Sequence, residues 1–148
     1  MKLIVALRGI PSLAALPNDQ MEALAYSMIE QNYPDGHVFT EEGRGGDSVH
    51  LLLEGEIAVT RQDGWVSLGK QTPGVFFGTV ALVDDGPRSA TCTGVGRTRV
   101  ATLSSSAFVL LFNTHAPLAL AVQEALAGQL AADFRRSSAR LETALRGE

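Results

Sequence analysis

Between residues 34 and 103 the chain consists of short β-branched or apolar runs with a turn former at nearly every break. The runs are Val49 to Leu53, Ile57 to Thr60, Trp65 to Leu68, Val75 to Phe77, Ser89 to Thr93 and Thr98 to Leu103. Turn formers stand between them: Gly43 to Asp47, Glu54-Gly55-Glu56, Asp63-Gly64, Thr72-Pro73-Gly74, Asp84-Asp85-Gly86-Pro87 and Gly94-Val95-Gly96. Most of the 15 glycines fall in this zone, so tight reversals join the runs. No connection has the length or periodicity of a crossover helix. Short strands at this spacing predict an antiparallel barrel or jelly roll and exclude a parallel sheet.

Helices flank this zone on both sides. In residues 1–33, Ile4, Leu7 and Ile10 lead into Pro11. Asp19 with Glu22 fits a capping box. Met21, Leu24, Ala25, Met28 and Ile29 then form one apolar helical face, and Asn32-Tyr33-Pro34 is expected to end the helix. In residues 104–148, Ser104-Ser105-Ser106 can cap a short helix carrying Phe108, Leu111 and Phe112. After Pro117 nothing stops a helix until about Arg146. That is some 30 residues, roughly 45 Å long. Along it Leu120, Ala127, Phe134 and Leu141 lie seven apart, as do Ala131, Ser138 and Leu145. The spacing suits either a dimer seam or a helix folded back on its own barrel. The expected class is therefore mainly β with flanking helices (α+β), as one domain over 1–148.

Composition narrows the function. With 12 basic and 16 acidic side chains the formal net charge is −4, a poor basis for general nucleic-acid binding. The single cysteine, Cys92, allows no internal disulfide and no Cys-rich zinc site, and its place in a strand reads as a small buried apolar residue. No apolar run approaches the roughly 18 residues of a membrane helix. Arg8 interrupts the apolar start too early for a secretion signal. A cytoplasmic protein without membrane association is expected. Trp65, after the Asp63-Gly64 turn, is expected to be half-buried.

The chemistry concentrates in residues 76–91. Phe76-Phe77 reads as a strand and Gly78 as a point of close backbone approach. Thr79, Val80 and Ala81 open a short helical turn whose free N–H groups suit an anion. After the acidic turn, Arg88 can offer two parallel donors to a phosphate. Ser89 adds a hydroxyl, and Ala90 leaves its own N–H accessible. Phe77, Gly78, Thr79, Val80, Ala81, Arg88, Ser89 and Ala90 together make a cradle for one compact phosphate that needs no metal. The bland alternative is a surface pair between Arg88 and Asp84 or Asp85.

The order Phe-Gly-x-x-Ala-Leu, acidic turn, Pro-Arg-Ser-Ala-Thr resembles the phosphate-binding cassette of cyclic nucleotide-binding domains, such as those of catabolite activator protein and the protein kinase A regulatory subunit. The likeness extends to Leu7–Pro17, to Tyr33-Pro34-Asp35-Gly36, to Glu42-Gly43 with Gly46-Asp47, and to the Leu51–Val59 segment. It implies an eight-stranded double-stranded β-helix, or jelly-roll β-roll, with N-terminal helices and a long C-terminal helix. It also implies a ligand, cAMP in preference to cGMP, with Arg88 on the cyclic phosphate and Phe134 or Arg135 over the base. The output would be movement of the long helix, in signal transduction through an effector protein or a homodimer, with no cofactor and no covalent chemistry. The chain ends at Glu148 without a helix-turn-helix, so no direct nucleic-acid binding is expected.

One position departs from the family pattern. Thr79 stands where the family places a Glu that accepts a hydrogen bond from the ribose 2′-OH. Losing a charge-assisted bond costs about 1.5–3 kcal/mol, on the order of ten- to a hundredfold in affinity. A lapsed pocket, in a module that only dimerises or docks, is the competing reading. A third is a cupin-type metalloenzyme, since His37 to Glu41 resembles a metal-ligand cluster. The second His of that motif is replaced by Phe39, and His50 and His115 lie in other elements.

Overall fold

A computed structural model describes residues 1–62, 64–78 and 90–147, with the side chains of 134, 136–142 and 144 outside that description. Two helices, α1 (Leu3–Arg8) and α2 (Asn18–Ser27), precede the strands β1 (Ile29–Tyr33), β2 (Val38–Thr40), β3 (Ser48–Arg61), β4 (Val66–Gln71), β5 (Phe76–Phe77) and β6 (Thr91–Ser104). Helices α3 (Ser105–Thr114) and α4 (Ala116–Leu145) follow. The strands form one antiparallel sheet in the order β1-β6-β3-β4, with β2 also on β6 and β5 on β3. The chain is an antiparallel β-roll with flanking helices, as its strand spacing predicts.

The Glu54-Gly55-Glu56 and Gly94-Val95-Gly96 segments do not end strands. Each bends a single strand, so the two runs on either side belong to one 14-residue element. Glu54 pairs with Arg99 and Glu56 with Val95, so Gly55 alone faces the bulged residues of β6. Gly55 sits at φ +95, where a side chain is strained, and an added Cβ would lie 2.5 Å from the Arg97 carbonyl oxygen. Only glycine lets the two strands touch at the bend. Counting the halves of β3 and β6 separately, the described strands make up the eight expected segments.

The bend gives the sheet two interiors. The run Val49–Leu53, apolar except for His50, is buried on both faces, the pattern of a strand covered on each side. Val49, Leu51, Leu53, Phe76, Ala101 and Leu103 face the helices. There they meet Leu7, Leu13, Met21, Leu24, Phe108, Leu111, Leu118, Val122 and Leu126. Leu52, Phe77 and Val100 face the other way and join Ile57 and Cys92 inside the roll. Each large side chain so buried contributes about 1.5–3 kcal/mol. Arg99 ties the edge together, bonding Glu30 on β1 and Glu54 on β3.

Three sequence expectations change. First, the N-terminal zone is not helical to residue 33. Helix α2 stops at Ser27, Met28 is extended (φ −99, ψ 146), and Ile29–Tyr33 pairs with β6. Met28 stays in the core, while Ile29 is 69% exposed. The backbone need of β6 for a partner along its outer edge outweighs the helical periodicity. Second, no capping box forms: the N-cap is Pro17, which has no side-chain acceptor, and Asp19 lies inside the first turn. Third, Trp65 is 88% exposed, at the tip of the β3–β4 hairpin.

The C-terminal zone matches its pattern. Ser104 caps α3, its hydroxyl accepting from the Ala107 N–H at 3.1 Å. Helix α4 runs for 30 residues. Leu118, Ala119, Val122, Ala125 and Leu126 bury it against the roll, while Leu120 and Ala127 of the heptad stripe face outward. No helix among the described residues is long and apolar enough to cross a membrane.

Replacing Gly55 by Ala should destabilise the fold by about 3 kcal/mol, from forced φ and overpacking together. Gly64→Ala, at φ +91 but in open space, should cost about 1 kcal/mol. Urea unfolding of both variants checks this, and an unchanged midpoint for Gly55→Ala would refute the account of the bend.

Candidate functional site

The two residues of β5 set the start of the 76–91 segment. Their short pairing, His50 with Phe77 and Leu51 with Phe76, is extended by backbone bonds from Gly74 N–H to the Leu52 carbonyl (2.8 Å) and from Leu52 N–H to the Val75 carbonyl (3.2 Å). Gly74 turns at φ +92 to make this possible. Phe76 and Phe77 then point into opposite interiors, as alternation along a strand requires. Gly78 follows at φ +68, a left-handed conformation that suits glycine.

Phe77 rests on an aromatic floor inside the roll. Its ring stacks on His50 (centroids 5.1 Å, 28° between planes) and meets Phe39 edge-on at 5.4 Å. Phe39 also contacts His50, His37 and Tyr33 at 5.6, 4.7 and 4.8 Å. His50 Nδ1 lies 2.9 Å from the Thr102 hydroxyl. Each aromatic pair contributes about 0.5–1.5 kcal/mol beyond its buried area. His37 therefore belongs to this aromatic packing. Among the described residues no three His, Cys, Asp or Glu side chains are grouped to hold a metal ion. Sequence reading missed this floor, although the alternation of His37 and Phe39 and the inward phase of His50 were its available signals.

The far end of the segment is held by β2 and the loop after it. The Thr40 hydroxyl donates to the Ala90 carbonyl at 3.2 Å, and the Glu42 N–H donates to the Thr91 hydroxyl at 3.0 Å. The Glu42 carboxylate accepts from the Gln62 N–H at 3.1 Å, linking the loop to the β3–β4 hairpin. Beside this junction opens a cleft of about 330 Å³, lined in part by Thr40, Glu41, Arg44 and Asp47. Arg44 and Glu41 pair at 3.1 Å across the loop, both largely exposed.

Of the expected site residues, the structure places Phe77 and Gly78 at the entry and Ala90 at the exit. Thr79, Val80, Ala81, Arg88 and Ser89 lie outside the described residues, as do Asp84 and Asp85. Arg135 is exposed on α4, whose backbone also carries Phe134, though the Phe134 side chain is outside the description. Cys92 is buried in the roll interior.

Comparison with known proteins agrees with this layout. A family model for the cyclic nucleotide-binding domain matches residues 30–115, which contain the whole 76–91 segment. The cAMP-dependent protein kinase regulatory subunit of Colletotrichum orbiculare is 35% identical over 102 residues, 69% of this chain and 26% of that protein. The chain spans about a quarter of the length of the curated relatives it matches. A cyclic nucleotide-binding domain from Methylobacillus flagellatus superposes with a TM-score of 0.82 at 26% identity, covering 93% of this chain and 79% of that one. The catabolite activator protein of Thermus thermophilus gives 0.72 at 25% identity, covering 89% and 62%.

Truncating Phe77 to Ala should cost about 3–5 kcal/mol by opening the aromatic floor. Phe112→Ala, at a 48% exposed position on α3, should cost under about 1 kcal/mol. Equal losses in chemical denaturation would refute the assignment of Phe77 to a packed interior.

Proposed function

The chain belongs to the cyclic nucleotide-binding domain family, and from that premise we propose that it binds a cyclic mononucleotide, cAMP in preference to cGMP, at the 76–91 segment. The observation that carries this reading is the family match across residues 30–115 together with the run Gly78 … Arg88-Ser89-Ala90 inside it. The left-handed Gly78 and the tethered Ala90 support it, since they anchor the two ends of the proposed cradle in the roll.

In this proposal Arg88 clamps the cyclic phosphate with two parallel N–H donors. The N–H groups of Thr79, Val80, Ala81 and Ala90 and the Ser89 hydroxyl complete the cradle. Thr79 meets the ribose with a neutral hydroxyl. Phe134 or Arg135 covers the base from α4. The ligand favours one position of α4 only by as much as it binds that state more tightly. The repositioned helix then acts on an effector protein or on a second copy through its outward stripe. Residues 1–148 act as one domain, by binding rather than by catalysis.

Thr79 in place of Glu favours a second reading, a module that has lost its ligand and serves only to dimerise or dock. Calorimetry with cAMP and cGMP separates the two. Binding of one ligand per chain is expected, weakened at least a hundredfold by Arg88→Ala. Thr79→Glu should tighten binding ten- to a hundredfold. No heat with either nucleotide establishes the second reading instead.

A further inference from the structure

We propose that Thr40 is a positioning residue of the ligand site, holding the exit of the 76–91 segment through the Ala90 carbonyl. This rests on the reading of that segment as the phosphate cradle. The geometry begins with an irregularity in β2. Val38 pairs with Thr93 and Thr40 with Cys92, so two steps along β2 correspond to one along β6. Such a bulge re-aims the side chain beside it. Here Thr40 is 5% exposed and its hydroxyl reaches the Ala90 carbonyl, fifty residues away in sequence.

The next turn of chain adds a second hold, from the Glu42 N–H to the Thr91 hydroxyl. Ala90 and Thr91 are therefore gripped on consecutive residues just where β6 begins. Arg88 lies two residues upstream in sequence, so in this reading the direction set at Ala90 is carried to the phosphate-binding arginine. A valine would fill the same space as Thr40, but only the hydroxyl reaches the carbonyl. The bond thus sets the direction of the segment, apart from any contribution to packing. A donor that pre-orders a binding segment raises affinity by reducing the ordering left to the ligand.

The test compares Thr40→Val, which keeps the shape, with Thr40→Ser, which keeps the hydroxyl. Thr40→Val should weaken cAMP and cGMP equally, by about five- to tenfold, since both share the phosphate end. Thr40→Ser should restore most of the affinity, and the loss should vanish in the Arg88→Ala background. Thr91→Val removes the other hold and should act in the same direction. Amide hydrogen exchange without ligand gives an independent reading: exchange at Ala90 to Cys92 should accelerate in Thr40→Val and not in Thr40→Ser. If the unaltered chain binds neither nucleotide, the ligand reading fails, while exchange still decides whether Thr40 orders the exit. Equal losses in the Val and Ser variants, or affinity and exchange both unchanged, would overturn the proposal.

Discussion

The antiparallel pairing of β3 with β6 is the interaction on which the rest of the molecule depends. It runs from Ser48 opposite Ser104 to Thr60 opposite Thr91, through the bend at Gly55. Every other described strand is added to one of these two. The bend turns one long ribbon into two interiors, one shared with the helices and one enclosed by the roll. Without a glycine at 55 the backbones could not approach, because the space for a side chain is taken by the Arg97 carbonyl and Thr98.

The same ribbon carries the candidate site. β5 pairs with the first half of β3, while Ala90 leads into β6, whose first residue Thr91 pairs with Thr60 in the second half. The described ends of the 76–91 segment thus lie along different halves of β3. Its entry stands on the Phe77, His50 and Phe39 rings, and its exit is tied to Thr40 and Glu42. Helix α3 starts directly from β6, and its Ser105 N–H bonds the Asp47 carbonyl at 2.6 Å. The loop beside the cleft therefore touches both the exit of the segment and the first residue of the C-terminal helices.

Much of this was readable in advance where the information is local. Turn formers marked each reversal, and the stretch after Pro117, with no further proline, a single Gly128 and many alanines, predicted the 30-residue helix. Ser104 announced its own cap. Apart from the capping box, which Pro17 at the N-cap excludes locally, the expectations that failed were those settled by distant partners. Ile29 continues an apolar helical period, yet it goes to a strand because β6 has an edge to fill. Gly55 and Gly94 look like turn residues, and the pairing across them converts both turns into bends. Trp65 looks like packing material, but at the hairpin tip no described residue covers it and it stays exposed.

Sequence alone determined the class of fold and marked the candidate stretch, because glycine placement, β-branched runs and the Arg88-Ser89-Ala90 pattern are local signals. Tertiary structure decided which runs join into single strands, which aromatic rings meet beneath Phe77, and that the Thr40 hydroxyl reaches Ala90. Those outcomes depend on groups brought together from distant parts of the chain, as Ser48 is with Ser104, and the energies that select them exist only once the sheet has closed.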